Sequence, residues 1–183
     1  MFARRGGMVT ECWRQMSVEK AHEIIQTVHE TNKKLYRKTL ELLAPHMGKR
    51  AAIILEMPKK ERHQVWIEFF KQERFATFAF NFLSWWLMER HRPMLSAWLT
   101  HLGIEHESGI ATEFPDGQPA AEVLAEGVEK LLRDFDAEDV KIYLRAFYEI
   151  DEVHWPNLAT LLESEPRLAW SSEKSAVGNA KEG

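Results

Sequence analysis

Residues 75 to 88 read FATFAFNFLSWWLM, and this stretch decides the fold class. Its only polar residues are Thr77, Asn81 and Ser84, whose spacings of four and three place them along one stripe of a helix. A helix that is apolar on every other side must be covered by neighbouring elements. The stretch therefore predicts a helical domain built around a buried central helix at residues 75 to 90. It is shorter than the roughly 20 apolar residues that span a bilayer.

The rest of the chain repeats the helical pattern. No Gly or Pro interrupts residues 17 to 44, where residues suited to a buried face recur at spacings of four and three. This pattern predicts one long amphipathic helix with Ser17 as its N-cap. Residues 49 to 57 predict a short buried helix, and residues 105 to 119 predict the one long connection, with room for a small hairpin. The predicted fold class is all-α with about seven helices.

Length and composition indicate one domain. The chain has 183 residues, and its 45% hydrophobic content, which includes seven Trp and ten Phe, is enough for one substantial core. The predicted organisation is a flexible arm at residues 1 to 16, a helical domain at residues 17 to 170 and a disordered tail at residues 171 to 183. The single Cys12 excludes an intramolecular disulfide, and no apolar signal segment follows the first arginines, which predicts a cytoplasmic protein.

The net charge of −4 hides a division between two parts of the chain. Residues 1 to 74 hold 15 Lys and Arg against 9 Asp and Glu, and the remaining residues hold 9 against 19. Either a basic face meets an anionic partner, or oppositely charged segments attract each other within the fold or across a dimer. The second explanation is favoured. Glu residues interleaved with the early basic residues predict a solvated, salt-bridged face, which leaves nucleic-acid or other polyanion binding as the weaker alternative.

A candidate ligand site borders the predicted central helix. Its residues are the polar stripe and the histidines that follow it: Thr77, Asn81, Ser84, His91, His101 and His106. If the stripe lines a cleft, its hydroxyls, amide and imidazole can orient a small ligand, and a histidine can act as acid or base. The favoured alternative is that the stripe is only the solvated edge of a mostly buried helix.

Metal-ligand patterns are weak in this sequence. Glu19 with His22 and Asp151 with His154 have the spacing found in carboxylate-bridged metal centres of helical bundles. The predicted central helix offers no carboxylate to complete such a centre, and one pair of this kind is expected by chance among eight His. No metal and no cofactor are therefore predicted.

A second set of residues is suited to protein contacts: Asn32, Leu35, Thr39, Trp155 and Trp170. The first three lie along the seam of the predicted first helix, where a polar residue can select register and partner in a homodimer. The alternative is that this helix packs only against its own domain. The tryptophans lie at segment ends and are candidates for a binding hot spot, because seven Trp are hard to bury fully in one small domain.

The sequence does not determine the function. It contains no phosphate loop, dinucleotide fingerprint, zinc-ligand spacing or nucleophile elbow. The favoured hypothesis is a non-enzymatic module that binds another protein or a second copy of itself. No association with a membrane is predicted. The alternative is a protein, or an enzyme, that binds a small ligand or metal in a pocket beside the central helix, with the histidine-bearing loop as its lid.

Overall fold

The computed structural model describes residues 7 to 170, and its architecture is all-α, as predicted. These residues form ten α-helices, three short 3₁₀ helices and one antiparallel hairpin, rather than about seven helices. None of the ten helices is long and apolar enough to cross a bilayer. The elements are α1 (Gly7–Gln15), α2 (Val18–Thr31), α3 (Lys33–Leu43), α4 (Ala51–Glu56), α5 (Lys59–Phe70), α6 (Ala76–Arg90), α7 (Arg92–His101), β1 (His106–Glu107), β2 (Ile110–Ala111), α8 (Ala121–Asp134), α9 (Ala137–Tyr148) and α10 (Pro156–Ser164).

Part of the predicted flexible arm is a docked helix. α1 buries Val9, Cys12 and Trp13 against the domain. The ring of Trp13 packs on Phe70 with centroids 4.7 Å apart, and its indole donates a 3.3 Å hydrogen bond to the carbonyl of Ala79. An aromatic anchor of this size explains why a helix of nine residues docks. The first six residues of the arm and the predicted tail at residues 171 to 183 lie outside the described residues.

The prediction of one helix over residues 17 to 44 is wrong, because Asn32 divides it into α2 and α3. Ser17 is the N-cap of α2, as predicted. Asn32 has a non-helical φ of −137°, and its side-chain carbonyl accepts a 3.0 Å hydrogen bond from the amide of Leu35. An Asn side chain competes for backbone amides in this way, so it ends one helix and caps the next.

α6, which contains most of the apolar stretch, lies against α1, α2, α5, α7 and α9. Its side chains interlock with aromatic residues of α5: the ring centroid of Phe82 lies 5.2 Å from that of Trp66 and 4.9 Å from that of Phe70. Along the polar stripe, Thr77 and Asn81 are exposed and Ser84 is half-buried. The other faces of the helix pack into the core.

α4 differs from the prediction of a buried helix. Ile54 is its only buried residue, and the side chains of Ile53 and Leu55 point largely to solvent, with 49% and 42% of their residue surfaces exposed. A helix of six residues has fewer than two turns, so it offers the core little more than one side chain.

Two tight turns follow α7. Gly103 follows α7 with a φ of 69°, and the amide of Ile104 donates a 2.9 Å hydrogen bond to the carbonyl of Leu99, which closes the helix in a Schellman motif. The expected hairpin is formed by β1 and β2. Ser108 and Gly109 connect the strands with φ values of 51° and 85°, the left-handed pair that a tight hairpin turn requires.

Candidate ligand-binding site

A cavity of about 210 Å³ lies between α6, α7, α9 and the hairpin. We call it the α6–α9 cavity. Its walls are mostly apolar side chains of these elements, and they include Phe80, Leu87, Leu95, Leu99, Ile110 and Phe147. The cavity is partly open to solvent, and a concave site of this size with mostly apolar walls is a candidate binding site.

The polarity of the α6–α9 cavity is low. Among the described residues that line it, none carries a charged side chain, and only Ser84 and Tyr143 have hydroxyl groups. Burial raises the pKa of Tyr143 well above its ordinary value, so its phenol stays protonated at physiological pH. The cavity therefore offers dispersion contacts and two neutral hydrogen-bonding groups, and it offers no ion partner.

The hairpin covers one side of the cavity and fits closely on α7. A Cβ atom added at Gly109 would lie 2.7 Å from the Cβ of Leu95 and 3.2 Å from the carbonyl oxygen of Arg92. Only glycine allows the hairpin to approach α7 this closely at a φ of 85°. Ile110 and Ala111, which follow in β2, line the cavity directly.

His106 fastens the hairpin rather than facing the cavity. The amide of Gly109 donates a 3.3 Å hydrogen bond to its Nδ1, and its Nε2 lies 2.8 Å from the hydroxyl oxygen of Thr100 on α7. An Nδ1 that accepts leaves the proton on Nε2, so Nε2 donates to the hydroxyl. The imidazole thereby ties the tight turn of the hairpin to α7.

The other predicted ligand residues do not converge on one site. Ser84 is the only member of the polar stripe that lines the α6–α9 cavity. Thr77 borders a neighbouring open groove, and Asn81 is exposed. His101 joins two helices instead: its Nε2 lies 2.8 Å from the carbonyl oxygen of Val123, and its Nδ1 lies 3.0 Å from the ammonium of Lys130.

His91 belongs to a polar cluster that connects α2, α6 and α9. Asp139, only 7% exposed, holds the ammonium of Lys20 at 2.7 Å and lies 3.7 Å from Nδ1 of His91. Glu23 holds the same ammonium at 3.1 Å and accepts a 3.0 Å hydrogen bond from the indole of Trp86. Burial lowers the pKa of His91, and Asp139 acts in the opposite direction. The cluster joins three helices, and none of its members lines the α6–α9 cavity.

The pairs considered as metal ligands do not build a centre in the described part of the chain. Residues 7 to 170 contain no group of three or more His, Cys, Asp or Glu side chains placed to hold a metal ion. His22 instead meets His63 of α5, with their Nδ1 atoms 3.1 Å apart.

The residues expected at a protein interface are largely used within the domain. Thr39 is fully buried, and its hydroxyl donates a 3.0 Å hydrogen bond to the carbonyl of Leu35. Trp155 is 4% exposed and packs on Phe147. Trp170 is half-buried, with the guanidinium of Arg145 over its ring at 5.2 Å.

Most of the cavity walls carry no mark in the sequence. Tyr143 and Phe147 follow the helical period of α9, so they read as ordinary core positions. The one available signal in the sequence is Gly109, because a glycine in a hairpin can mark a close backbone approach. Comparisons with known proteins add no assignment: the chain matches no protein-family model, no curated protein and no solved structure.

Proposed function

We propose that the protein binds a small, uncharged and largely apolar molecule in the α6–α9 cavity. The observation that carries this proposal is an apolar cavity of about 210 Å³ whose lining has no charged side chain. Burying an ion there without a partner would cost several kcal/mol or more, so the ligand is neutral.

The volume indicates the size of the ligand. A dry apolar cavity of about 150 Å³ accommodates benzene, so about 210 Å³ holds a molecule of about eight non-hydrogen atoms by proportion. Ser84 and Tyr143 can hydrogen-bond one polar group on it. An aromatic or branched aliphatic molecule with a single hydroxyl or carbonyl group fits this description.

The same lining favours binding over catalysis. Acid–base catalysis needs a group whose pKa lies near the working pH, and the one titratable residue in the lining, Tyr143, has its pKa raised away from that range. His91, His101 and His106 are engaged elsewhere by Asp139, Val123 and Thr100. We therefore propose a carrier or sensor of the ligand rather than an enzyme that converts it.

The proposal is tested with p-cresol, a neutral probe of eight non-hydrogen atoms, and with benzoate, a charged probe of similar size. We expect p-cresol to bind saturably in calorimetry and benzoate to show no binding. Ala146→Leu adds bulk to a cavity wall and should weaken p-cresol binding at least about tenfold. Ala97→Leu, at an exposed position of α7, is the matched control and should leave binding unchanged.

Two results would contradict the proposal: no binding of p-cresol to the wild-type protein, or equal binding by the Ala146→Leu variant. Native mass spectrometry of untagged protein complements the probes. A bound neutral mass that disappears on denaturation and is missing from Ala146→Leu protein identifies the natural ligand.

Protein interaction is the second candidate function, and one observation favours it. Between residues 45 and 61, Ile54 is the only buried residue, and the exposed side chains there include Ile53 and Leu55. Exposed apolar groups concentrated in one segment are typical of contact surfaces. Binding of a polyanion by the basic residues of the same region stays a weaker proposal.

A further inference from the structure

The exposed large apolar side chains are concentrated in two segments of the described chain. Residues 33 to 60 contain Leu42, Ile53 and Leu55, and residues 105 to 129 contain Ile110 and Val123. Val18 is the only other large apolar residue in the described part that is exposed to this degree. We call the two stretches the basic segment and the acidic segment, for the charges that accompany them.

The basic segment, residues 33 to 60, presents a strong positive charge to solvent. It holds eight Lys and Arg and only two Glu, and all ten of these side chains are exposed. The basic residues are Lys33, Lys34, Arg37, Lys38, Lys49, Arg50, Lys59 and Lys60. Leu42, Ile53 and Leu55 lie between them in sequence, which is the composition of an apolar contact with a charged rim.

The acidic segment, residues 105 to 129, has the opposite composition. No Lys or Arg occurs from residue 93 to residue 129, and the acidic segment holds seven Asp and Glu, all exposed. These are Glu105, Glu107, Glu113, Asp116, Glu122, Glu126 and Glu129. Ile110 and Val123, 48% and 36% exposed, lie among them.

The two segments belong to different parts of the fold. α3, in the basic segment, packs mainly against α2 and the short 3₁₀ helix that follows it. α8, in the acidic segment, packs against α7, α9 and α10. Among the described elements, no major packing contact joins α3 to α8 within one copy.

We infer that the basic segment of one copy binds the acidic segment of a second copy, so that the protein associates with itself through a salt-sensitive contact with an apolar centre. Charge complementarity selects the occupant, because the same chain carries both halves of the match together with exposed apolar residues in each. Two copies related by a twofold axis can form the contact twice, with each basic segment on the other copy's acidic segment.

A charge-exchange experiment tests this inference on the full chain. Variant one carries Lys49→Glu, Arg50→Glu and Lys59→Glu, and variant two carries Glu113→Lys, Glu122→Lys and Glu126→Lys. All six positions are exposed, so both variants should retain the wild-type circular dichroism spectrum. None of the six lines the α6–α9 cavity, so p-cresol binding should also be retained and reports separately on the proposed ligand site.

Sedimentation velocity at low ionic strength provides the readout. We expect wild-type protein to associate, and to dissociate as salt is raised toward 0.5 M. Each variant alone should associate at least about tenfold more weakly, and an equimolar mixture of the two should recover association, because their segments are again complementary.

Three outcomes would overturn the inference: a wild-type protein that stays monomeric at about 100 μM in low salt, variants that associate as strongly as the wild type, or a mixture that fails to recover association. Binding of the wild-type protein and both variants to vesicles containing anionic lipid is measured in parallel. A monomer that binds them through the basic segment would assign that segment to a lipid surface instead.

Discussion

His63 predicts a loss of stability in mild acid. This residue of α5 is 1% exposed, and its Nδ1 lies 3.1 Å from Nδ1 of His22 on α2. Burial lowers the pKa of His63 to about 4, and the nearby positive groups of His22, Lys59 and Arg62 act in the same direction. A proton added to this imidazole would be buried beside other cations, so protonation and the native fold oppose each other.

The sign and size of the effect follow from linkage between proton binding and folding. In the unfolded chain a histidine has a pKa of about 6.5, so between pH 6.5 and pH 4 the unfolded state binds more protons than the folded state. The stability associated with neutral His63 is fully present above pH 6.5 and is lost as the pH falls toward 4. The difference in pKa corresponds to ~3 kcal/mol of unfolding free energy at the acidic end.

Urea unfolding followed by tryptophan fluorescence at several values between pH 7 and pH 4 measures this loss. The comparison is between wild-type protein and His63→Asn, which cannot titrate, and we expect the variant's stability to fall by ~3 kcal/mol less over this range. His46→Asn, at an exposed position, is the control and should follow the wild type. If the unfolding free energies of the wild type and His63→Asn depend equally on pH, the loss of stability cannot be assigned to His63.

Three further predictions concern the hairpin at Gly109, the polar cluster around Asp139 and the thiol of Cys12. Gly109→Ala should lower the free energy of unfolding in urea by about 1–3 kcal/mol, because the added Cβ would overlap α7 at a positive φ. Gly117→Ala is the control and should be neutral, since Gly117 has open space around it. Equal effects of the two substitutions would contradict the close fit of the hairpin on α7. Asp139→Asn should lower the free energy of unfolding by about 3 kcal/mol, because the half-buried ammonium of Lys20 loses its closest carboxylate. Asp134→Asn removes a carboxylate from an exposed ion pair with Arg133 and should leave the free energy of unfolding and the melting temperature unchanged. Cys12 is buried, and its pKa is raised to about 12. A thiol reagent at pH 8 should therefore label it only as fast as the protein opens. Immediate labelling of the folded protein would show that α1 is undocked.

The candidate site could be foreseen only in outline. The polar stripe and the following loop suggested a pocket beside α6 with a lid, and Ser84 and the hairpin do border the α6–α9 cavity. The histidines could not be assigned, because His91, His101 and His106 find partners on α9, α8 and α7 that are remote or unmarked in sequence. A polar residue beside an apolar helix face gives the same sequence pattern whether its side chain faces a ligand, another helix or water.

Local chemistry explains which structural predictions succeeded. The predicted N-cap at Ser17 depends on a hydrogen bond within a few residues, so a short sequence pattern identifies it. The caps at Asp136 and Gly103 in the structure are local in the same way. The break at Asn32 is equally local, but the apolar period continues through it and hides it. The docking of α1 depends on Trp13 meeting Phe70, a contact between residues far apart in the chain.

By itself, the sequence determined that this protein is all-α, because a long apolar run and helical periodicity leave no other way to bury the core. It also determined the charge division and the residues that carry it. Only the tertiary structure decided where space is left unfilled and which apolar residues face water. Periodicity reports which side of a helix is buried, but the α6–α9 cavity depends on whether side chains from α6, α7, α9 and the hairpin meet, and that is a property of their three-dimensional packing.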